Sequence, residues 1–381
     1  MKRLICVFAA ACLLLGYVPY GVQAVDLDVP AKSALLMDIQ TGTVLYAQNE
    51  HEPLAPASVT KVMTMLLIME AIDSGKIRWE DTVTASEEAA AKGGSQIFLK
   101  AGETMSVKDM LKSIAVSSAN DCACAMAEHL AGSESGFVQL MNSRAKELGM
   151  NDTNFVNCTG LDDSEEAKNH KTSAYDIAIM SRQLLKYHPD IKQFTTIWMD
   201  SVRNGTFGLS NTNKMVRFYK GCTGLKTGFT AAAGYCLSAT AQRENLELVA
   251  VVMGCETSKE RFAACKSLLD YGFANFALVN PQAEENLTVP VVLGTQAYVT
   301  AIPSQDTSLL IDKGQLSSVN IKTELADKID APVSQGQRLG TMTVRSGEQI
   351  LAQIPMVAKE PVGKLTWGDV FLQLLRKLCM A

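Results

Sequence analysis

Three short motifs carry the chemistry of this chain: Ser58-Val59-Thr60-Lys61, Ser118-Ala119-Asn120 and Lys226-Thr227-Gly228. In that order they supply a hydroxyl nucleophile, an ammonium able to act as its base, a second hydroxyl beside an amide, and a second cation. This is a complete kit for acyl transfer from an amide or lactam carbonyl. It uses no histidine and no metal.

Each motif alone is common, and the chain holds decoys in Ser143-Arg144-Ala145-Lys146 and Ser318-Val319-Asn320. Context separates them. Ser58 follows Ala55-Pro56-Ala57 and opens an apolar helical stretch, Val62 to Ile72. Proline and serine at such a start are N-terminal signals. Lys61 stands three residues on, so it shares a helix face with Ser58. The helix start brings N–H groups and positive partial charge to the Ser58 oxygen. Ser143 lies inside a helical run and reads as a surface residue. Lys226-Thr227-Gly228 reads as a strand approached by the turn at Gly221 to Gly224, with Gly228 allowing close approach to the backbone.

The elements that position these motifs follow from periodicity. Strand signals lie at Ser33 to Asp38 and Val44 to Ala47. Helical patterns follow at Val59 to Ser74, Val107 to Ser117, Asp121 to Ala131, Phe137 to Leu148 and Ser173 to Tyr187. Strands return at Gly234 to Ala241 and Leu246 to Met253, and a closing helix spans Lys259 to Ala274. This order predicts a mixed α/β fold: an antiparallel sheet flanked by helices, with a helical subdomain. From Pro281 the chain becomes short β-prone runs between glycine, proline and aspartate, which predicts a small all-β domain.

The ends read as targeting devices. Residues 1–24 pair Lys2 and Arg3 with an apolar run and Val22-Gln23-Ala24, the pattern of an export signal. Its removal leaves 33 basic against 40 acidic residues, a net charge of about −7. That balance argues against a nucleic-acid partner. Ten cysteines are present, eight after the signal; several sit in apolar patterns and read as buried free thiols. Cys122-Ala123-Cys124 lacks the spacing of a zinc site. In the tail, Leu365, Trp367, Val370, Phe371, Leu374, Leu375 and Leu378 recur on one helical face. Thr366 and Asp369 form a capping-box-like start. The expected domains are 1–24 signal, 25–278 catalytic, 279–361 all-β, and 362–381 an amphipathic helix lying in a membrane interface.

The whole mature chain resembles low-molecular-mass penicillin-binding proteins, the serine-type D-alanyl-D-alanine carboxypeptidases. The likeness extends beyond the motifs to Gly94-Ser95 with Phe98-Leu99, to Asn157, Gly160-Leu161, His170 and Ser173-Ala174-Tyr175-Asp176, to Ala233-Gly234-Tyr235, and to Arg261 with Leu268 to Phe273. It implies a β-lactamase/transpeptidase-like catalytic domain without cofactor or metal. The implied reaction removes the terminal D-alanine of peptidoglycan stem pentapeptides, and β-lactam antibiotics acylate the same serine.

In that reading Ser58 is the nucleophile and Lys61 its base. Ser118 relays a proton, Asn120 holds a substrate amide, and Lys226 keeps the field positive. The backbone N–H groups of Ser58 and Phe229 form the oxyanion hole, beside Gly228. Thr227 and Arg261 bind the terminal carboxylate. Asn211-Thr212-Asn213 departs from the family's Asn-Arg-Asn, and Phe229 replaces a histidine found in some relatives. The implied location is exported, peripheral on the outer face of the cytoplasmic membrane through the terminal helix. Rival readings are a D,D-endopeptidase, a weak β-lactamase with Glu165 in the water-activating role, and a non-enzymatic wall-binding module.

Overall fold

The computed structural model describes residues 27–282 and 287–379. The export signal read at 1–24 lies outside the described residues.

A five-stranded antiparallel sheet organises the first part of the chain. Its strands are β1 (Ser33–Asp38), β2 (Val44–Gln48), β3 (Cys222–Thr230), β4 (Gly234–Arg243) and β5 (Leu246–Cys255), in the spatial order β2-β1-β5-β4-β3. The runs Ala34-Leu35-Leu36-Met37 and Leu248 to Met253 are apolar without alternation because both sheet faces are covered. Leu35, Met37, Val249 and Val251 face one core, shared with α1 (Lys61–Asp73), α2 (Val107–Ser117), α3 (Asn120–Ala131), α4 (Glu134–Glu147) and α5 (Ala174–Tyr187). Ala34, Leu36, Leu248 and Val252 face the other, closed by Cys265, Leu268, Leu269 and Phe273 of α6 (Ser258–Asn275).

Helix α1 is apolar nearly all round and is buried accordingly. Side-chain caps set the starts of α2, α4, α5 and α6. Ser106 accepts from the Asp109 N–H, Ser133 from Gly136 and Ser173 from Asp176, while Thr257 and Glu260 form a reciprocal capping box. The Ser133 cap starts α4 at Glu134, ahead of the Phe137 expected from apolar spacing. Two short strand pairs, Thr82–Thr84 with Thr104–Ser106 and Met199–Val202 with Phe207–Ser210, were not anticipated.

The later residues form the all-β part, a six-stranded sheet around Val289, Val299, Met342, Ile354 and Met356. Val362 packs into this core, and the bridge between Gly294 and Lys364 ties the chain down just before the tail. The two parts touch through Phe276–Val279 pairing with Leu309–Asp312, and through a 2.7 Å bond from Gln40 to Asp306. The terminal helix α7 (Trp367–Cys379) begins with the expected cap: the Asp369 carboxylate accepts from the Thr366 N–H at 2.9 Å, and Thr366 Oγ1 from the Asp369 N–H at 3.3 Å. No helix among the described residues is long and apolar enough to cross a membrane.

Candidate active site

The cleft forms where the start of α1, the junction of α2 and α3, and edge strand β3 meet. Ser58 stands in a single 3-10 turn, Ala57–Thr60, and α1 proper starts at Lys61. Gly228 of β3 packs against this turn; a Cβ there would lie 2.5 Å from the Pro56 carbonyl oxygen. Only glycine lets the strand come so near.

Lys61 is fully buried, and its Nζ lies 2.9 Å from Ser58 Oγ and 2.9 Å from the Thr159 carbonyl oxygen. Burial disfavours its charged form and lowers its pKa to about 7, against a small opposing pull from Cys158 and Asp121. Lys226 is also buried, donates to the Thr227 carbonyl at 2.9 Å, and has its pKa pushed well down by burial and then by the charges of Lys61 and Arg261. Thr227 Oγ1 bonds Thr212 Oγ1 at 2.7 Å. Thr212 therefore sits beside Thr227, at the position where the sequence resemblance implies an arginine.

Ser118 caps the C-terminal end of α2 in the left-handed region, with φ 62° and ψ 30°. That single reversal turns the chain so that α3 starts at Asn120. Asn120 Nδ2 donates to the Gly93 carbonyl at 2.7 Å. Asp121, next in sequence, accepts from the N–H groups of Ile97 and Leu99 at 3.1 and 3.0 Å and so fixes segment 93–99 against the cleft. Arg261, from α6, donates Nη1 to the Gly228 carbonyl at 2.9 Å and to that of Cys236 at 3.4 Å. Its guanidinium lies over the Tyr235 ring, and Phe229, half-exposed, stacks on the same ring at 4.2 Å between centroids.

Three buried polar atoms here have no partner: Ser118 Oγ, Asn120 Oδ1 and Arg261 Nε. Buried polar groups in a folded protein are normally satisfied. These three leave a hydroxyl, an amide acceptor and a guanidinium donor free to take a ligand. The structure thus brings Ser58, Lys61, Lys226, Thr227, Gly228 and Arg261 together through direct contacts or charge coupling. Ser118 and Asn120 lie at the α2–α3 junction, and the Phe229 ring is exposed.

The decoys lie elsewhere: Ser143, Ser318 and Asn320 are exposed. Glu165 is exposed and paired with Lys168 at 2.5 Å, so it offers no carboxylate to the cleft. Thr159 and Asp121 escaped the sequence reading. Asp121 left one signal, an acid inside an otherwise apolar helical run; Thr159 acts through its backbone and left none. Cys122, Cys124, Cys158, Cys222, Cys236, Cys255 and Cys265 are free, and all but Cys222 are buried. Glu88, Cys124 and Glu128 place ligand atoms within 4.8 Å of one another, but Lys92 already pairs with Glu88 at 3.3 Å.

The D-alanyl-D-alanine carboxypeptidase family pattern (Peptidase_S11) matches residues 21–257, and the C-terminal domain pattern of penicillin-binding protein 5 matches residues 279–364. The chain belongs to the D-alanyl-D-alanine carboxypeptidase family. It is 45% identical over 377 residues to the D-alanyl-D-alanine carboxypeptidase DacF of Bacillus subtilis, covering 96% of this chain and 95% of that one. Penicillin-binding protein 5 of Haemophilus influenzae superposes with a TM-score of 0.76 at 31% identity, covering 89% of this chain and 99% of that one. Penicillin-binding protein D2 of Listeria monocytogenes, solved with ampicillin bound, superposes with a TM-score of 0.57 at 30% identity, covering 65% of this chain and all of that one (100%).

Proposed function

We propose that this chain removes the terminal D-alanine from peptidoglycan stem pentapeptides through an acyl-enzyme on Ser58, and that β-lactams acylate the same oxygen. One observation carries the reading: a fully buried lysine with a pKa near 7 stands 2.9 Å from a serine hydroxyl. A lysine so poised is an effective base at neutral pH. The ampicillin bound to the Listeria relative supports the β-lactam half of the proposal.

The steps follow from the groups present. The substrate carboxylate binds at Thr227 and Arg261, drawn by the field of Lys226. Asn120 Oδ1 accepts an amide N–H of the peptide. Neutral Lys61 takes the Ser58 proton as Oγ attacks the carbonyl carbon of the penultimate D-alanine. The oxyanion rests on the N–H groups of Ser58 and Phe229. Collapse breaks the C–N bond, and the leaving amine takes its proton through Ser118. Water then cleaves the ester and regenerates Ser58.

Residues 25–278 are the catalytic domain of this scheme, 279–361 a β domain, and 362–381 the segment whose helix α7 lies in the membrane interface. An export signal at 1–24 puts the enzyme outside the cytoplasmic membrane. The tail reading rests on Trp367, Phe371, Leu372 and Leu375, which are exposed to solvent; Trp367 is 92% exposed. The deciding experiment incubates the purified protein with a D-alanyl-D-alanine-ended pentapeptide, a cross-linked muropeptide and a penicillin, and identifies products by mass. Loss of one alanine from the pentapeptide and a Ser58 adduct from penicillin are expected. Cleavage of the cross-link with an intact pentapeptide would make the protein an endopeptidase, and rapid penicillin turnover a β-lactamase.

A further inference from the structure

The turn that presents Ser58 is held in an unusual conformation by a directed chain of hydrogen bonds that starts at His170. Ala57, just before the nucleophile, has φ +48°. L-residues other than glycine rarely enter this region. Its carbonyl is gripped from two sides. Thr60 Oγ1 donates to it at 2.8 Å, and Gly160 packs against it so closely that a Cβ would lie 1.8 Å from the oxygen. Thr60 Oγ1 in turn lies 2.8 Å from His170 Nε2.

The direction of the chain follows from the other end of the imidazole. His170 Nδ1 accepts the Val156 N–H at 3.1 Å, so that nitrogen holds no proton. The ring proton is therefore on Nε2 and is donated to Thr60 Oγ1. That leaves the Thr60 hydroxyl proton to go to the Ala57 carbonyl. Each group donates once, and the tautomer is fixed by the backbone. The ring is buried and held edge-on by Phe155, at 5.6 Å between centroids. Burial, with the charges of Lys171 and Lys61 behind it, keeps the imidazole neutral by lowering its pKa to about 4.

We propose that His170 is a positioning residue for acylation: through Thr60 it locks the Ala57 turn, and so aims the Ser58 hydroxyl at Lys61 and the Ser58 N–H into the cleft. A histidine that merely filled the core would need neither a fixed tautomer nor a hydroxyl relay to the residue before the nucleophile. The proposal rests on Ser58 being the nucleophile.

The test is single-turnover acylation of the full chain by a fluorescent penicillin, normalised to folded protein by thermal melting and followed by mapping of the label. His170→Ala and Thr60→Val should each slow the acylation step by about tenfold to a hundredfold, the range for a slightly misplaced reacting group. Penicillin affinity before the chemical step should be unchanged. The double variant should be no slower than the slower single one, because one chain is broken once. His170→Gln, which restores a donor toward Thr60, should recover most of the rate. Acylation within twofold of the parent in folded His170→Ala overturns the proposal, as does multiplication of the two single effects or a loss confined to affinity. If His170→Ala does not fold, Thr60→Ser against Thr60→Val decides: serine keeps the relay and the rate, valine loses both, and equal rates overturn the idea. A label elsewhere than Ser58 overturns the nucleophile assignment itself; a Ser58 label at full rate overturns the positioning role alone.

Discussion

Replacing Lys61 with arginine keeps a positive charge at the start of α1 and removes the base. The size of the effect can be worked from the site. With a pKa near 7, about half of Lys61 is neutral at pH 7. An arginine, whose pKa exceeds about 12, is neutral in fewer than roughly one molecule in 10⁵. If the neutral amine is the only base, acylation falls by about four to five decades. At 1.36 kcal/mol per decade that is about 5–7 kcal/mol of barrier. The parent enzyme should show the same dependence in its pH profile. Burial disfavours the charged amine, so the active form is lost as pH falls through 7. At pH 5 about 1% remains neutral, and acylation should be about fifty times slower than at pH 7. The buried Lys226 interacts with Lys61, so the observed midpoint belongs to the pair. Stopped-flow acylation with a fluorescent penicillin measures both. A Lys61→Arg variant that melts like the parent yet acylates within tenfold of its rate would refute the assignment, because the proton would then have another acceptor.

Further outcomes follow from the same geometry. Penicillin labelling followed by peptide mapping should find Ser58 alone, and a label on Ser118 or Ser143 would break the reading. Arg261→Ala should impair the free-acid pentapeptide far more than an ester lacking the terminal carboxylate, by roughly 2–5 kcal/mol for a desolvated charged partner; equal losses would make Arg261 structural, tied as it is to the Gly228 carbonyl. Ending the chain before Lys364 should release the protein from phospholipid vesicles and leave pentapeptide cleavage nearly unchanged. Persistent pelleting at high salt would place the anchor elsewhere.

Much of this was legible in the sequence because the signals were local. Helix α2 has the limits its periodicity predicts, Val107–Ser117, and the Thr366–Asp369 cap forms as expected. What was not legible depended on parts of the chain far apart. The left-handed turn at Ser118 is invisible in a serine, which enters that region only when tertiary packing holds it there. The role of Thr159 is carried by a carbonyl 98 residues from the lysine it meets. The short strand pairs of three or four residues were too brief to show a period. His170 was marked only by likeness to the family, since one histidine in a polar loop carries no pattern of its own.

The site also explains why a helix that reads as pure core begins with a charged residue. Every turn of α1 is packed among apolar neighbours, and Lys61 shares that burial. A lysine there is costly to charge, and the same cost suits it to the proposed role of base at neutral pH. The unpartnered atoms of Ser118, Asn120 and Arg261 follow the same logic. Each costs stability by lacking a partner, and under the proposed reaction each would be satisfied by the bound peptide, returning part of that cost as binding energy. Gly228 and Gly160 hold the arrangement together, because each lets backbone approach the Pro56–Ala57 turn at a distance no side chain would permit. The turn that carries Ser58 is therefore contacted by the edge strand at Gly228, by Gly160 and by the Thr60–His170 pair, which is where the proposed aiming of Ser58 can be tested.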